Sequence, residues 1–158
     1  MMKTLVPYLI ILLLSYATGI FYVLSMIEKP IWKDMLSSKK IFPNESLMRS
    51  IHGQLKRLIT LLPPMMVTSM LGSATLIIYQ YFLLKSTMSL VLLVIFFSGL
   101  GYLIFHLKNR IDGVAKIDSN AEYKVLNRGV IRLAQLHHVG LLVAIISWLL
   151  QLIVVFLQ

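Results

Sequence analysis

Between Leu58 and Leu84 the chain carries no charged side chain. A helix crosses about 30 Å of hydrocarbon with roughly 20 apolar residues, so this run is long enough to span a membrane. Residues 5–26, 88–105 and 139–157 are likewise free of Asp, Glu, Lys and Arg. The fold class implied is all-α: a four-transmembrane-helix bundle, one integral membrane domain over residues 1–158, with spans at about 5–26, 58–84, 88–105 and 139–157. A soluble helical protein would need a charged outer face on each of these segments, and they have none.

Composition agrees. Hydrophobic residues make up 58% of the chain and charged ones 13%, against about a quarter charged in soluble domains. With no cysteine, disulfides, thiolate metal sites, cysteine nucleophiles and dithiol quinone chemistry are excluded. The net charge of +9 belongs to cations that flank apolar spans rather than alternate with stacking aromatics. Anionic lipid headgroups therefore fit better than nucleic acid as a partner.

The first apolar run passes through Ser15-Tyr16-Ala17, a small-residue pattern like a cleavage site, and continues to Leu24. That continuity predicts an uncleaved span. Pro30 ends it, and Trp32 falls where an interfacial aromatic belt is expected. Asn44 or Ser46 is placed to cap the next helix. Leu47, Ile51, Leu55, Leu58, Ile59 and Leu62 then recur at helical spacing, with Arg49, His52, Lys56 and Arg57 on the other face. Such a basic amphipathic stretch suits a headgroup layer. Pro63-Pro64 marks either a kink in one long helix or the first turn of a new span.

Lys85-Ser86-Thr87 predicts a tight turn, and the third span is expected to end near His106, followed by a polar connection. Ser119-Asn120-Ala121-Glu122 has the form of a capping box. After it, Tyr123, Leu126, Val130, Leu133 and Ala134 face one way, and Lys124, Arg128 and Arg132 the other. The basic amphipathic extensions thus precede helices 2 and 4, and the layout of the first half recurs in the second. Ser15/Gly19, Ser69/Ser73 and Gly140/Ala144, with Ser98, Gly99 and Gly101, offer close helix contacts, within one copy or in a homo-oligomer.

Of the fifteen Lys and Arg residues, thirteen fall in the two long connections and their helical extensions, leaving Lys3 and Lys85 opposite. By the positive-inside rule the long connections are cytoplasmic and both termini extracytoplasmic. Arg49, Lys56, Arg57, Lys124 and Arg132 are the candidate lipid-binding residues.

No ionisable side chain falls within the four runs, which argues against ion-coupled transport. Gln151 is expected to hydrogen-bond across helices. His52, His106, His137 and His138 all fall at the same ends of the predicted spans. They are read as interfacial residues, as a general base, or as ligands of a haem. No spacing among them defines a metal site.

Gly19-Ile20-Phe21, the exit Glu28-Lys29-Pro30-Ile31-Trp32, the Asn109-Arg110-Ile111 stretch and the approach from Arg128 to His137 together resemble the small four-helix anthrone oxygenase-like membrane proteins, largely a domain of unknown function. Leu133 stands where that family has an aromatic, and the arginine that follows its histidine is absent. The resemblance implies oxidation of an apolar aromatic ketone by dioxygen without a cofactor. His137 or His52 would then be the base, and Asn109 and Arg128 would stabilise the enolate. The functions in view are therefore a lipid- or partner-binding bundle, a cofactor-independent oxygenase for a lipid-soluble aromatic, and a small haem or quinone protein.

Overall fold

The computed structural model describes residues 2–32 and 45–157; the expectations placed on Lys33, Lys39, Lys40 and Asn44 lie outside the described residues. Every element among the described residues is helical. Helix α1 covers Met2–Glu28 and runs into a single 3-10 turn, Lys29–Ile31. Helices α2, α3 and α4 cover Glu45–Leu84, Thr87–Ala115 and Tyr123–Phe156. All four are long and apolar enough to cross a membrane. The chain is a multi-pass helical bundle.

Consecutive helices run antiparallel. Helix α1 packs against α2 and α4, and α3 packs against the same two. One end of the bundle, the basic end, gathers Glu28, Glu45, Ala115 and Tyr123. The other holds the connection at Lys85 and Ser86. That connection is as short as the sequence predicts: Lys85 adopts the left-handed conformation at φ 49°. The Ser86 hydroxyl then accepts from the Ser89 N–H at 3.2 Å as the N-cap of α3.

Three boundaries depart from expectation. The Pro63-Pro64 pair lies inside one continuous helix, so α2 joins the basic amphipathic stretch to the span without a break. Helix α3 continues past His106 to Ala115, which makes Asn109, Arg110 and Ile111 helical rather than a turn. The apolar face explains this, because Leu107, Ile111 and Val114 keep helical spacing and Val114 is fully buried. The capping box does not form. Asp118 takes over the local hydrogen bonds, its Oδ1 accepting from the Asn120 N–H at 2.8 Å and its carbonyl from the Ala121 N–H at 3.0 Å. Helix α4 starts at Tyr123, with Glu122 as N-cap.

The core divides into three clusters, the smallest formed by Phe21, Leu103, Leu136 and Ala144. Near the Lys85 end, Val6, Ile10, Leu14, Ala74, Ile77, Leu92 and Phe96 close the space between helices. At the basic end Leu24, Ile31, Met48, Ile51, Leu55, Val114, Leu126, Val130 and Leu133 do the same. Gln151 bonds across helices as its polarity demands. Its amide exchanges two 2.9 Å hydrogen bonds with Gln80 of α2, and its Nε2 also donates to the Pro7 carbonyl of α1 at 3.2 Å. Both glutamines are fully buried, and in hydrocarbon each amide needs the other.

Glycine sets how closely the helices approach. A Cβ on Gly140 would enter the Phe21 ring, one on Gly99 would enter Val143, and one on Gly129 would strike the Gly113 carbonyl. Gly19 and Gly101, singled out from the sequence along with Gly99 and Gly140, face open space.

Candidate functional site

Phe21, Leu24 and Glu28 lie on one stripe of α1, at positions i, i+3 and i+7. The first two are apolar and buried, and the third is a carboxylic acid with no exposed surface at all. An acid so placed requires a partner, since a buried unpaired carboxylate costs several kcal/mol. The partner is His137 of α4, whose Nδ1 is 2.6 Å from Glu28 Oε1. Glu28 falls inside the first candidate span, Leu5–Ile31. The sequence-based ending of that span at Met26 hid it, and with it the one buried ionisable pair among the described residues. The signal available was the helical spacing from Phe21 and Leu24 to Glu28.

His138, one residue on, also turns toward α1. Its Nδ1 donates to the Ala134 carbonyl at 2.8 Å and its Nε2 pairs with the Ser25 hydroxyl at 3.2 Å. The edge of its ring meets Trp32 with centroids 5.4 Å apart. The two histidines thus serve adjacent partners on α1 without sharing a centre.

Below the Glu28–His137 pair lies a cavity of about 110 Å³. Leu55, Leu62, Met66 and Met70 of α2 line it, facing Leu100, Leu103 and Leu107 of α3, with Phe21 and Leu24 of α1 and Leu133 and Leu136 of α4 as its inner wall. Every lining residue is apolar except His137. The lining also includes Val67, Leu71 and Ile104, which are exposed on the outside of the bundle. The cavity therefore reaches the lipid-facing surface between α2 and α3.

Glu28 holds the His137 ring by Nδ1. Nε2 has no hydrogen-bond partner among the described residues and is not one of the sealed, unpartnered atoms. It is the ring nitrogen that the Glu28 contact leaves unengaged. A carboxylate on one nitrogen of an imidazole fixes the orientation of the ring and its tautomer. The second carboxylate oxygen, Glu28 Oε2, is buried without a partner among the described residues, as are Trp32 Nε1 and His52 Nδ1.

The other candidate residues are dispersed. His52 is fully buried, with Nε2 donating to the Val114 carbonyl at 3.1 Å, and it does not line the cavity. Asn109 and Arg128 lie together in a separate groove between α3 and α4, along with Lys124 and Arg132. His137 alone of the four proposed catalytic residues borders the apolar cavity.

The basic face of α2 has a structural use that its sequence pattern does not reveal. Arg49 donates to the Ser119 carbonyl and, at 3.3 Å, to the Ala121 carbonyl, while also pairing with Glu45 at 2.6 Å. Lys56 donates to the Ile117 carbonyl at 3.3 Å. With His52 on Val114, three residues at i, i+3 and i+7 collect carbonyls from the end of α3 and the turn beyond it. The Val114 carbonyl is in the last turn of α3, where carbonyls lack a partner within the helix, and cations are favoured at that pole. Arg57 is exposed, and its side chain has no partner among the described residues.

No protein-family model, curated protein or solved structure matches this chain. The site has to be read from its own geometry.

Proposed function

We propose that this protein is a membrane-embedded bundle that takes a lipid-soluble small molecule from the bilayer and holds it in the apolar cavity against Nε2 of His137. The observation that carries this reading is the cavity itself: apolar throughout, reaching lipid between α2 and α3, with one polar side chain, which a buried carboxylate orients. At about 110 Å³ the cavity is of the same order as, and somewhat smaller than, one of about 150 Å³ that holds benzene, so it takes at most a single ring and not a tetrapyrrole. The ligand class is thus a ring bearing one hydrogen-bonding group, with any tail or further ring passing out between Val67, Leu71 and Ile104. A quinone or phenol head fits this description, and haem does not. In the same reading the basic end is cytoplasmic and both termini are extracytoplasmic, on the distribution of Lys and Arg.

The experiment is mass spectrometry of small molecules that travel with the protein purified in mild detergent, compared with a Met66→Trp variant whose indole fills the cavity. Retention of an aromatic or quinone-headed lipid by the native protein and its loss from the variant is the expected result. Equal loads of bulk phospholipid on both would remove the proposal.

A second reading is favoured by the pairing of Glu28 with His137, the arrangement of an oriented general base. In it the protein is one of the anthrone oxygenase-like enzymes. Nε2 of His137 takes the C–H proton of an anthrone-type ketone, leaving an enolate. Dioxygen adds at the carbanion carbon to give a hydroperoxide, and loss of water from it yields the quinone. Asn109 and Arg128 take no part in this step, because they do not border the cavity. Oxygen uptake with anthrone that vanishes in folded His137→Gln supports it; no uptake above buffer by the native protein ends it.

A further inference from the structure

We propose that the groove between the basic-end halves of α3 and α4 is a second site, for the phosphate headgroup of an anionic phospholipid. It is separate from the ligand cavity and shares no lining residue with it. The groove encloses about 620 Å³, and its walls carry Arg110 from α3 and Lys124, Arg128 and Arg132 from α4, with His106 and Asn109 at its lower side. No acidic residue lines it.

Lys124, Arg128 and Arg132 are spaced i, i+4 and i+8 on one face of α4, and Arg110 faces them. Like charges at this spacing repel, and no acidic side chain among the described residues pairs with them. Of the acids nearby, Asp112 pairs with Lys116 at 2.9 Å, and Glu122, at the N-cap position of α4, is exposed and does not line the groove. None of the four groove cations makes an ion pair among the described residues. One polar contact from these side chains bridges the two helices: Arg110 Nη1 donates to the Arg132 carbonyl at 3.1 Å, drawing the guanidinium of α3 across to α4. The floor is bare backbone, because Gly129 of α4 rests on the Gly113 carbonyl of α3 with no Cβ between them. Long cationic side chains therefore stand around a recess. Guanidinium forks converging on a recess suit phosphate oxygens.

The position of the groove selects a lipid over a free phosphate. Its lower side is His106, and the residue before it, Phe105, is 77% exposed, with Tyr102 also exposed one turn below. This is the apolar surface that a span turns toward hydrocarbon. A phospholipid whose phosphate enters the groove would lay its acyl chains along Tyr102 and Phe105, whereas an inorganic phosphate would make no use of that surface.

The test is native mass spectrometry and thermal-shift titration of the full chain in a neutral detergent. The probes are dioleoylphosphatidylglycerol, dioleoylphosphatidylcholine and inorganic phosphate. Saturable binding of the phosphatidylglycerol is expected, weakened roughly thirtyfold by Arg128→Gln with Arg132→Gln, the loss of two basic contacts. The pair Lys29→Gln with Lys85→Gln lowers the net charge equally outside the groove and is expected to leave binding unchanged. Lys124→Gln with Arg128→Gln is an independent groove pair should the first fail to fold. Equal weakening by the control pair would show diffuse attraction and overturn the site. Equal affinity for phosphatidylcholine, or for inorganic phosphate alone, would overturn the assignment to an anionic lipid.

Discussion

Glu28 Oε1 and His137 Nδ1 stand 2.6 Å apart, across more than a hundred residues of sequence, and both side chains are buried at the junction of α1 and α4. The pair is held by mutual need. Removing one member leaves the other in a low-dielectric setting without compensation, whereas removing both leaves ordinary apolar packing. His137→Leu is expected to cost about 3–5 kcal/mol, because it strands the Glu28 carboxylate. The double change Glu28→Leu/His137→Leu should cost less than His137→Leu alone. Equilibrium unfolding in mixed micelles, analysed as a double-mutant cycle, checks this. A double variant as unstable as the sum of the singles would mean that the two side chains are not coupled.

The face formed by Arg49, His52 and Lys56 changes what a charge-reversal experiment reports. Arg49→Glu removes the donors to the Ser119 and Ala121 carbonyls and sets an acid beside Glu45. Arg49 is partly exposed, so solvent screening limits the loss to about 1 kcal/mol. Arg57→Glu, with no partner to lose, should leave the melting temperature within error. Thermal melts of the two variants decide between a structural face and a lipid-facing one, since equal behaviour would return Arg49 to the solvent-exposed set.

The sequence made the span count, the tight connection at Lys85 and the cross-helix role of Gln151 legible, because absence of charge and helical spacing are local properties. Glu28 was not legible, since a charged residue at the end of an apolar run reads as the start of a polar connection. Only the fold brings it against His137. Gln80 was missed for a related reason: an amide in an apolar span has no local mark that separates a buried partner from a lipid-facing residue. The two faces of α2 are only partly legible: His52, assigned with the cations, is fully buried beside Leu55, and Leu47 of the apolar set is exposed. The face carrying Arg49, His52 and Lys56 meets the end of α3, which continues ten residues past the point where hydropathy falls.

Gln80 and Gln151 form a closed amide pair with Pro7 as third partner. Gln151→Leu should destabilise the bundle by about 1–2 kcal/mol, the range for buried interhelical hydrogen bonds in membranes. Gln80→Leu added to it should recover part of the loss, because no amide is then left unpaired. Unfolding in the same micelles measures both. A second substitution that deepens the loss would show that each glutamine contributes through other contacts.

The glycines separate contact from sequence pattern. In Gly129→Ala the new methyl meets the Gly113 carbonyl, a backbone atom of a packed helix that has no rotamer by which to yield. In Gly140→Ala it meets the Phe21 ring, which is itself buried. Overpacking of this kind costs about 1–3 kcal/mol, and in Gly129→Ala it must also push α3 from α4 and widen the floor of the basic groove. Gly19→Ala and Gly101→Ala meet nothing within 4 Å. Alanine is the better helix former by about 0.8–1 kcal/mol, so these two should be neutral or stabilising. The four melting temperatures therefore fall into two groups, Gly129→Ala and Gly140→Ala below the native protein, Gly19→Ala and Gly101→Ala at or above it. A loss at Gly19 equal to that at Gly140 would place another helix, from a second copy of the chain, against the outer face of α1.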